Sequence, residues 1–339
     1  MSDTLQARIE SLFSVRGRLG LYALFFVLLP VLFDVFLATE VVILGLFAVS
    51  FNLLFGQSGL LSFGHALFLG TGAYIAGLLT IHIGLPILGV LLVVLVVELG
   101  LALVIGLLSL RLSGVYFAMI TLAFAQFFYE LSFELQSLTG GTDGLLGIER
   151  TSLVGLGLIR LQNDVGFYVF ASILTFAALV FGVVLTRSTF GRALQAIREN
   201  EERTRALGVD TFRVKLLIFA ISGAIAGLAG ALWSLYLQFI SPEVLFWTIS
   251  GDAVLHTLVG GMETLFGPMM GTLFLIWLES ALFENQPGLW NILLGSIFIL
   301  FVLFARAGIT GVLTTRIRSL PAWIESSRGE TTSPDEDVD

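Results

Sequence analysis

The side chains able to do chemistry are few, and most of them stand in apolar surroundings. Glu98 lies near the middle of a long apolar run. A charged carboxylate at mid-membrane depth costs about 2.5 kcal/mol or more, so it must meet a partner, a cavity or a proton. A hydrogen bond to a neighbouring helix is the expected answer. Asp252 and His256 are four residues apart and share one helical face. They read as an internal structural pair or as a proton relay, with the pair favoured. Asn52, Gln57, His65 and Gln126 are uncharged polar groups in or beside apolar runs. Such groups bond neighbouring helices, or they line a path and hold the carboxylate and ammonium of a zwitterion. Gly64 and His65, in a glycine-rich stretch, belong to the same candidate path. The chain has no cysteine, which excludes disulfides, thiolate metal sites and thiol nucleophiles. Its 3 histidines (His65, His82, His256) are scattered, so a histidine metal cluster is not expected. The polar groups do not cluster as a catalytic site would, and no enzyme activity is expected.

The elements that must position these groups follow from composition. Of 339 residues, 57% are hydrophobic and only 12% charged, against about 25% charged in ordinary globular chains. With a mean hydropathy of +0.98, the apolar residues must face lipid rather than water. A soluble enzyme, a nucleic-acid binder and a disordered scaffold are excluded. A bilayer-spanning helix needs about 20 mostly apolar residues, and ten stretches qualify: 19–37, 40–56, 62–82, 86–109, 113–134, 167–186, 213–238, 246–259, 268–283 and 290–305. The fold class is therefore an all-α integral membrane protein of about ten transmembrane helices. The first stretch runs almost directly into the second with no cleavage site, so it is not a removed signal peptide. With the N-terminus inside, all of the 17 basic residues except Arg150 and Arg160 fall on the cytoplasmic side, as the positive-inside rule requires. Both termini are then cytoplasmic. The net charge of −8 is concentrated from Glu325 onward, where six acids, Glu325 among them, face only Arg328; this tail reads as solvated and disordered.

Two spans, 40–56 and 246–259, are short and interrupted by glycine, the first ending in Gly56-Gln57-Ser58-Gly59 and the second in Gly260-Gly261, one in each half of the chain. Broken segments of this kind point to a substrate path; the alternative is that the glycines permit close helix packing. The outer loop, 135–166, is long for a membrane connection. From Glu130 to Asp164 it carries five acids and two arginines, and it is either a partner-docking loop or a plain solvated one.

The most informative stretch runs from Ser188 to Gly208. Ser188 or Thr189 can cap a helix start, and Gly208 suits a left-handed helix end. Leu194, Ile197 and Leu207, with Ala193 and Ala206, are its apolar residues among many charges, which forbid a membrane crossing. One helix about 25 Å long is expected. It would lie on the membrane surface, sit in a groove of a cytoplasmic protein, or be a solvated connector. In the groove reading, Ala193, Leu194 and Ile197 fill the partner while Glu201 and Thr204 face water.

Gly191-Arg-Ala-Leu-Gln-Ala-Ile-Arg-Glu-Asn-Glu, followed by Ala206-Leu-Gly-Val, resembles the cytoplasmic coupling motif of branched-chain amino-acid ABC transporter permeases of the LivM type. Gly59-Leu-Leu-Ser-Phe-Gly-His-Ala-Leu-Phe-Leu-Gly-Thr-Gly-Ala-Tyr74 is similar to that family's early glycine-rich signature. Ser113-Gly-Val-Tyr-Phe-Ala-Met-Ile-Thr-Leu-Ala-Phe-Ala-Gln126 resembles the next. Thr139-Gly-Gly-Thr-Asp-Gly-Leu145 and Gly260-Gly-Met-Glu-Thr-Leu-Phe-Gly-Pro268 resemble two more, in the family's order. Asp252, His256 and the acidic tail depart from the pattern.

The resemblance implies a multi-pass subunit of a prokaryotic plasma membrane. It implies a permease domain over 19–305, with a coupling segment at 187–212 between a cytoplasmic N-terminal piece, 1–18, and the tail, 306–339. It also implies partners: two cytoplasmic ATPase subunits that use the ATP, a second homologous permease and an external binding protein, with no nucleic acid. This chain lacks a Gly-x-x-x-x-Gly-Lys-Ser/Thr loop and is expected to bind no cofactor. The coupling role falls on Gly191, Arg192, Ala193, Leu194, Ile197, Arg198, Glu199 and Glu202. The implied substrates are leucine, isoleucine and valine, while similar permeases take urea, amides or other amino acids. The competing class is an ion-coupled carrier working through Glu98, Asp252 and His256. Such a carrier has no need of the basic 188–208 segment.

Overall fold

The computed structural model describes residues 15–150, 161–283, 293–297, 299 and 308–311. The expected span at 290–305 lies largely outside these residues, and the 1–14 and 312–339 pieces lie wholly outside them. The helices in chain order begin with α1 (Val15–Leu32), α2 (Val35–Ser58) and α3 (His65–His82). Next come α4 (Ile87–Ser109), α5 (Val115–Glu134), the single turn α6 (Gln136–Thr139) and α7 (Asp164–Arg187). The last are α8 (Thr189–Glu199), α9 (Glu201–Ala206), α10 (Thr211–Leu237), α11 (Trp247–Gly260) and α12 (Gly267–Phe283). A two-residue antiparallel pair joins β1 (Leu145–Leu146) to β2 (Phe239–Ile240). Six helices, α2, α3, α4, α5, α7 and α10, are long and apolar enough to cross a membrane.

The first two elements correct the sequence expectation. Apolarity alone runs from 19 to 37, but Asp34 breaks it: its carboxylate accepts from the Phe36 N–H at 3.0 Å and starts a new helix. Val35, Phe36 and Leu37 therefore belong to α2, which has 24 residues and is not short. Only the second suspected short span is one. α11 has 14 residues, about 21 Å of helix against a ~30 Å hydrocarbon core.

The interior is built around α10, packed on α3, α4 and α2. Small residues set that closeness, as expected where lipid offers no hydrophobic drive between helices. A Cβ on Gly72 would fall 2.3 Å from the Gly227 carbonyl oxygen, so α3 and α10 meet backbone to backbone. On the other side, α4 turns Leu92, Val96 and Val104 outward and α7 turns Val165, Ile173 and Val184 outward. Exposed apolar faces of this kind suit lipid contact.

After α10 the chain returns along α3. Ile240 lies against Gly77, Leu245 against Gly70, and the Ser250 hydroxyl accepts from the Ala66 N–H at 2.8 Å. The chain covers the first part of this path as β2 and a 3-10 turn, Pro242–Leu245, so α11 starts only partway along α3. Beyond Gly261 it reverses along α2: the Asn52 side-chain N–H donates to the Thr264 carbonyl, and Met269 fills the space beside Gly45. α11 and α12 thus form a helical hairpin whose turn sits beside the last turns of α2.

Candidate functional site

The 187–212 segment lies at the end of α7 opposite to the 135–163 loop. It starts as its sequence dictates: the Ser188 hydroxyl accepts from the Gly191 N–H, capping α8. It does not form one helix. Asn200 takes extended dihedrals (φ −160°, ψ 102°) and its side-chain oxygen accepts from the Arg203 N–H, ending α8 and capping α9 in one residue. Gly208 has φ 89°, the left-handed conformation expected at the segment's close.

The apolar face points the other way from the groove reading. Leu194 is fully buried and Ile197 nearly so, and α8 packs on α2, α7 and α10. These side chains hold the segment to its own membrane domain and are not free to fill a partner. Arg192, Glu199, Glu202, Arg203 and Leu207 are exposed, with Leu207 at 80%; Ala193 is half-buried. Nor do Glu201 and Thr204 face water. Thr204 is buried and donates to the Asn200 carbonyl. Glu201 pairs with Lys215 at 2.7 Å, receives a hydrogen bond from Thr211 at 3.1 Å and meets Arg205 at 3.1 Å. Partial burial raises the Glu201 carboxyl, but Lys215, Thr211 and Arg205 together outweigh it and hold the group below its ordinary value. Lys215, the only lysine, was the residue missed: its buried place at the foot of α10 became visible only once Glu201 was seen beside it.

Arg198 makes the remaining anchor. Its guanidinium donates to the Gly56 carbonyl in the last turn of α2, and its stem lies near Gly59, whose φ of 74° closes that helix. A helix end leaves its last carbonyls without partners, and a basic side chain there is favoured by both hydrogen bonding and the helix dipole.

The polar path candidates separate into two groups. Asn52, Gln57, Gly64 and His65 are buried in the packing of this one chain. The Ser222 hydroxyl donates to the Ser50 carbonyl at 2.6 Å, so its oxygen accepts from His65 Nε2–H at 2.7 Å, tying α2, α3 and α10 together. His65 Nδ1 has no hydrogen-bond partner among the described residues, and Phe47, Phe51 and Phe68 surround the ring. Glu98 is fully buried and takes a hydrogen bond from Thr71 at 2.7 Å, the interhelix contact expected of it. Gln126, Asp252 and His256 are half-exposed. Gln126 donates to Glu130 on its own helix at 2.6 Å. Asp252 and His256 form neither an ion pair nor a hydrogen bond with each other among the described residues, so the expected internal pair is absent.

The opposite end is equally built. Arg150 Nε and Nη2 donate to the Leu235 and Tyr236 carbonyls at 2.9 and 3.2 Å. Its Nη1 pairs with Asp164 at 2.9 Å, and the guanidinium stands 4.4 Å from the Phe167 ring centre. With the β1–β2 pair, this fastens the loop's first part, 135–150, onto the ends of α7 and α10. Arg160 lies outside the described residues.

Residues 35–302 match a family model described as the permease component of branched-chain amino acid transport systems. The chain is 29% identical over 293 residues to the high-affinity branched-chain amino acid transport system permease protein LivM of Salmonella typhimurium, covering 80% of this chain and 69% of the relative. The LivM protein of Escherichia coli matches to the same extent. The xylose transport system permease protein XylH of Haemophilus influenzae is 29% identical over 162 residues, 44% of this chain and 42% of the relative. No solved structure matches. The chain is therefore a membrane protein belonging to the family of branched-chain amino acid transport system permease components.

Proposed function

We propose that this chain is the membrane-spanning subunit of an ATP-driven importer for branched-chain amino acids. Its 187–212 segment is the docking site for a cytoplasmic ATPase. The single observation that carries this reading is the form of that segment. It is a charged, capped, two-helix element fixed to the membrane domain by Leu194, Ile197, Arg198 and Glu201, with Arg192, Glu199, Glu202 and Arg203 turned outward. An ATPase must move the spans through a rigid contact, and a solvated connector would transmit nothing. Glu98, held by Thr71, is used in packing and leaves little for an ion-coupled carrier to work with.

In this reading the basic end is cytoplasmic, and two ATPase subunits bind and hydrolyse the ATP. The path forms where the chain meets a second permease, with Gln126, Asp252 and His256 the candidates reachable from outside the chain. An external binding protein delivers the substrate to the loop end. Branched-chain amino acids are favoured because the LivM match covers 80% of this chain and the xylose relative 44%. The test is co-purification with the ATPase subunits. The paired change Arg192→Glu and Glu202→Arg, on the exposed face, should abolish it while permease levels stay normal. Undiminished association would remove this segment from the docking role.

A further inference from the structure

The Arg198 contact does more than hold α8 in place, because of what lies on the other side of the carbonyl it grips. Gly56 carries no Cβ for a specific reason: one placed there would fall 2.3 Å from Asn52 Oδ1 and 2.9 Å from the Met262 carbonyl oxygen. The last turn of α2 is thus pressed against the turn of the α11–α12 hairpin. One helical turn earlier, Asn52 is fully buried and donates through Nδ2 to the Thr264 carbonyl at 3.1 Å, in the same turn. Thr264 in its turn caps Gly267 at the start of α12, its hydroxyl accepting from the Gly267 N–H at 3.0 Å. A continuous set of contacts therefore runs from Arg198 to the Gly56 carbonyl, along one turn of α2, through Asn52 to Thr264, and into the hairpin that contains the short helix α11.

We propose that Arg198 is a positioning residue that joins the 187–212 segment to the α11–α12 hairpin through the last turn of α2, so that the segment and the hairpin move as one body. The link is suited to that task in its chemistry. Among the described residues the Arg198 guanidinium makes this one hydrogen bond, and the residue is exposed, whereas Leu194 and Ile197 hold α8 by burial alone. Removing the donor leaves the segment seated but unlinked. This inference rests on the importer reading for its functional consequence, but the mechanical link stands without it.

The test uses the full-length permease in lipid nanodiscs. Because the chain has no cysteine, spin labels can be placed cleanly at Glu202→Cys on the segment and Glu263→Cys in the hairpin turn, both exposed positions. With Arg198 present, the inter-label distance should be a single narrow distribution. Arg198→Met, which keeps an apolar stem near Gly59, should broaden it, and Arg198→Lys, which restores one donor, should narrow it again. An unchanged distribution in Arg198→Met overturns the link, whatever the protein transports. The second arm uses the assembled complex and leucine as the probe. Arg198→Met should keep its ATPase subunits and their hydrolysis while leucine taken up per ATP falls about threefold, the scale of one exposed charged contact. Uptake and hydrolysis falling together, with subunits lost, would make Arg198 merely structural. A wild-type complex with no ATPase subunit would instead fail the importer reading and leave the distance result standing.

Discussion

Arg150 and Arg198 both bring a guanidinium to carbonyls at a helix end, one at each end of the molecule. Arg150 is engaged through all three of its nitrogens: two carbonyls of α10 and the Asp164 carboxylate each take one hydrogen bond, the Phe167 ring lies against its flat face, and its side chain is 9% exposed. Among the described residues Arg198 reaches a single carbonyl, and it is exposed. Among the described residues, the loop is thereby fastened at Arg150 to the ends of α7 and α10. The segment end is seated by Leu194 and Ile197 and linked by a contact that can break without unfolding anything. In the importer reading proposed above, the first arrangement suits a surface on which a partner lands; the second suits an element that passes motion on through a link that folding itself does not depend on.

The largest effect expected from this contrast is at Arg150. Arg150→Ala leaves the Leu235 and Tyr236 carbonyls and Asp164 without their donor, and should destabilise the protein by about 3 kcal/mol, seen as a lowered thermal transition in nanodiscs. Arg150→Lys should recover only part, since an ammonium cannot fork. Arg198→Met should shift the same transition by less than about 1 kcal/mol, as for other exposed charged contacts. Equal losses at the two arginines would end the distinction. Next is Leu194→Ala, which should cost about 2–3 kcal/mol by cavity formation and appear as faster amide exchange confined to α8 and α9. Ser188→Ala, which removes the α8 cap, should cost about 1 kcal/mol and act on the same amides.

The smallest effects concern the carboxylates. Glu98→Gln keeps an oxygen for Thr71 and should retain most transport, while Glu98→Lys should impair assembly. Glu201 is held below its ordinary value of 4.5, so its contribution is present above that value and lost as pH falls through the lower, folded one. Protection of the α9 amides, measured against the intrinsic exchange rate at each pH, should therefore be unchanged from neutral pH to about pH 5 and fall only below the ordinary carboxylate range. Lost protection already near pH 6 would contradict the Lys215–Glu201 pairing.

The membrane class, the capped start at Ser188, the left-handed Gly208, the short span before Gly260 and the interhelix role of Glu98 were all legible in the sequence. Each depends on local composition or on a residue type with few options. What could not be read was direction. Leu194 and Ile197 announce a buried face, but not whether it is buried in this chain or in another. Asn200 gives no sign that it both ends α8 and caps α9, since its neighbours are all charged. Asp34 was hidden inside an apolar run where a single acid did not outweigh its surroundings. The links from Arg198 to Gly56 and from Asn52 to Thr264 join residues 142 and 212 positions apart, beyond the reach of any local pattern.

The central proposal is that transport is driven from the 187–212 segment and not by an ion gradient acting on buried carboxylates. The direct measurement is leucine uptake into proteoliposomes holding the permease pair, its ATPase subunits and the binding protein, with ATP and a proton gradient supplied separately. Uptake should require ATP, proceed without the gradient, and disappear in the Arg192→Glu, Glu202→Arg permease. Gradient-driven uptake by the permease alone, unaffected by those changes, would contradict it.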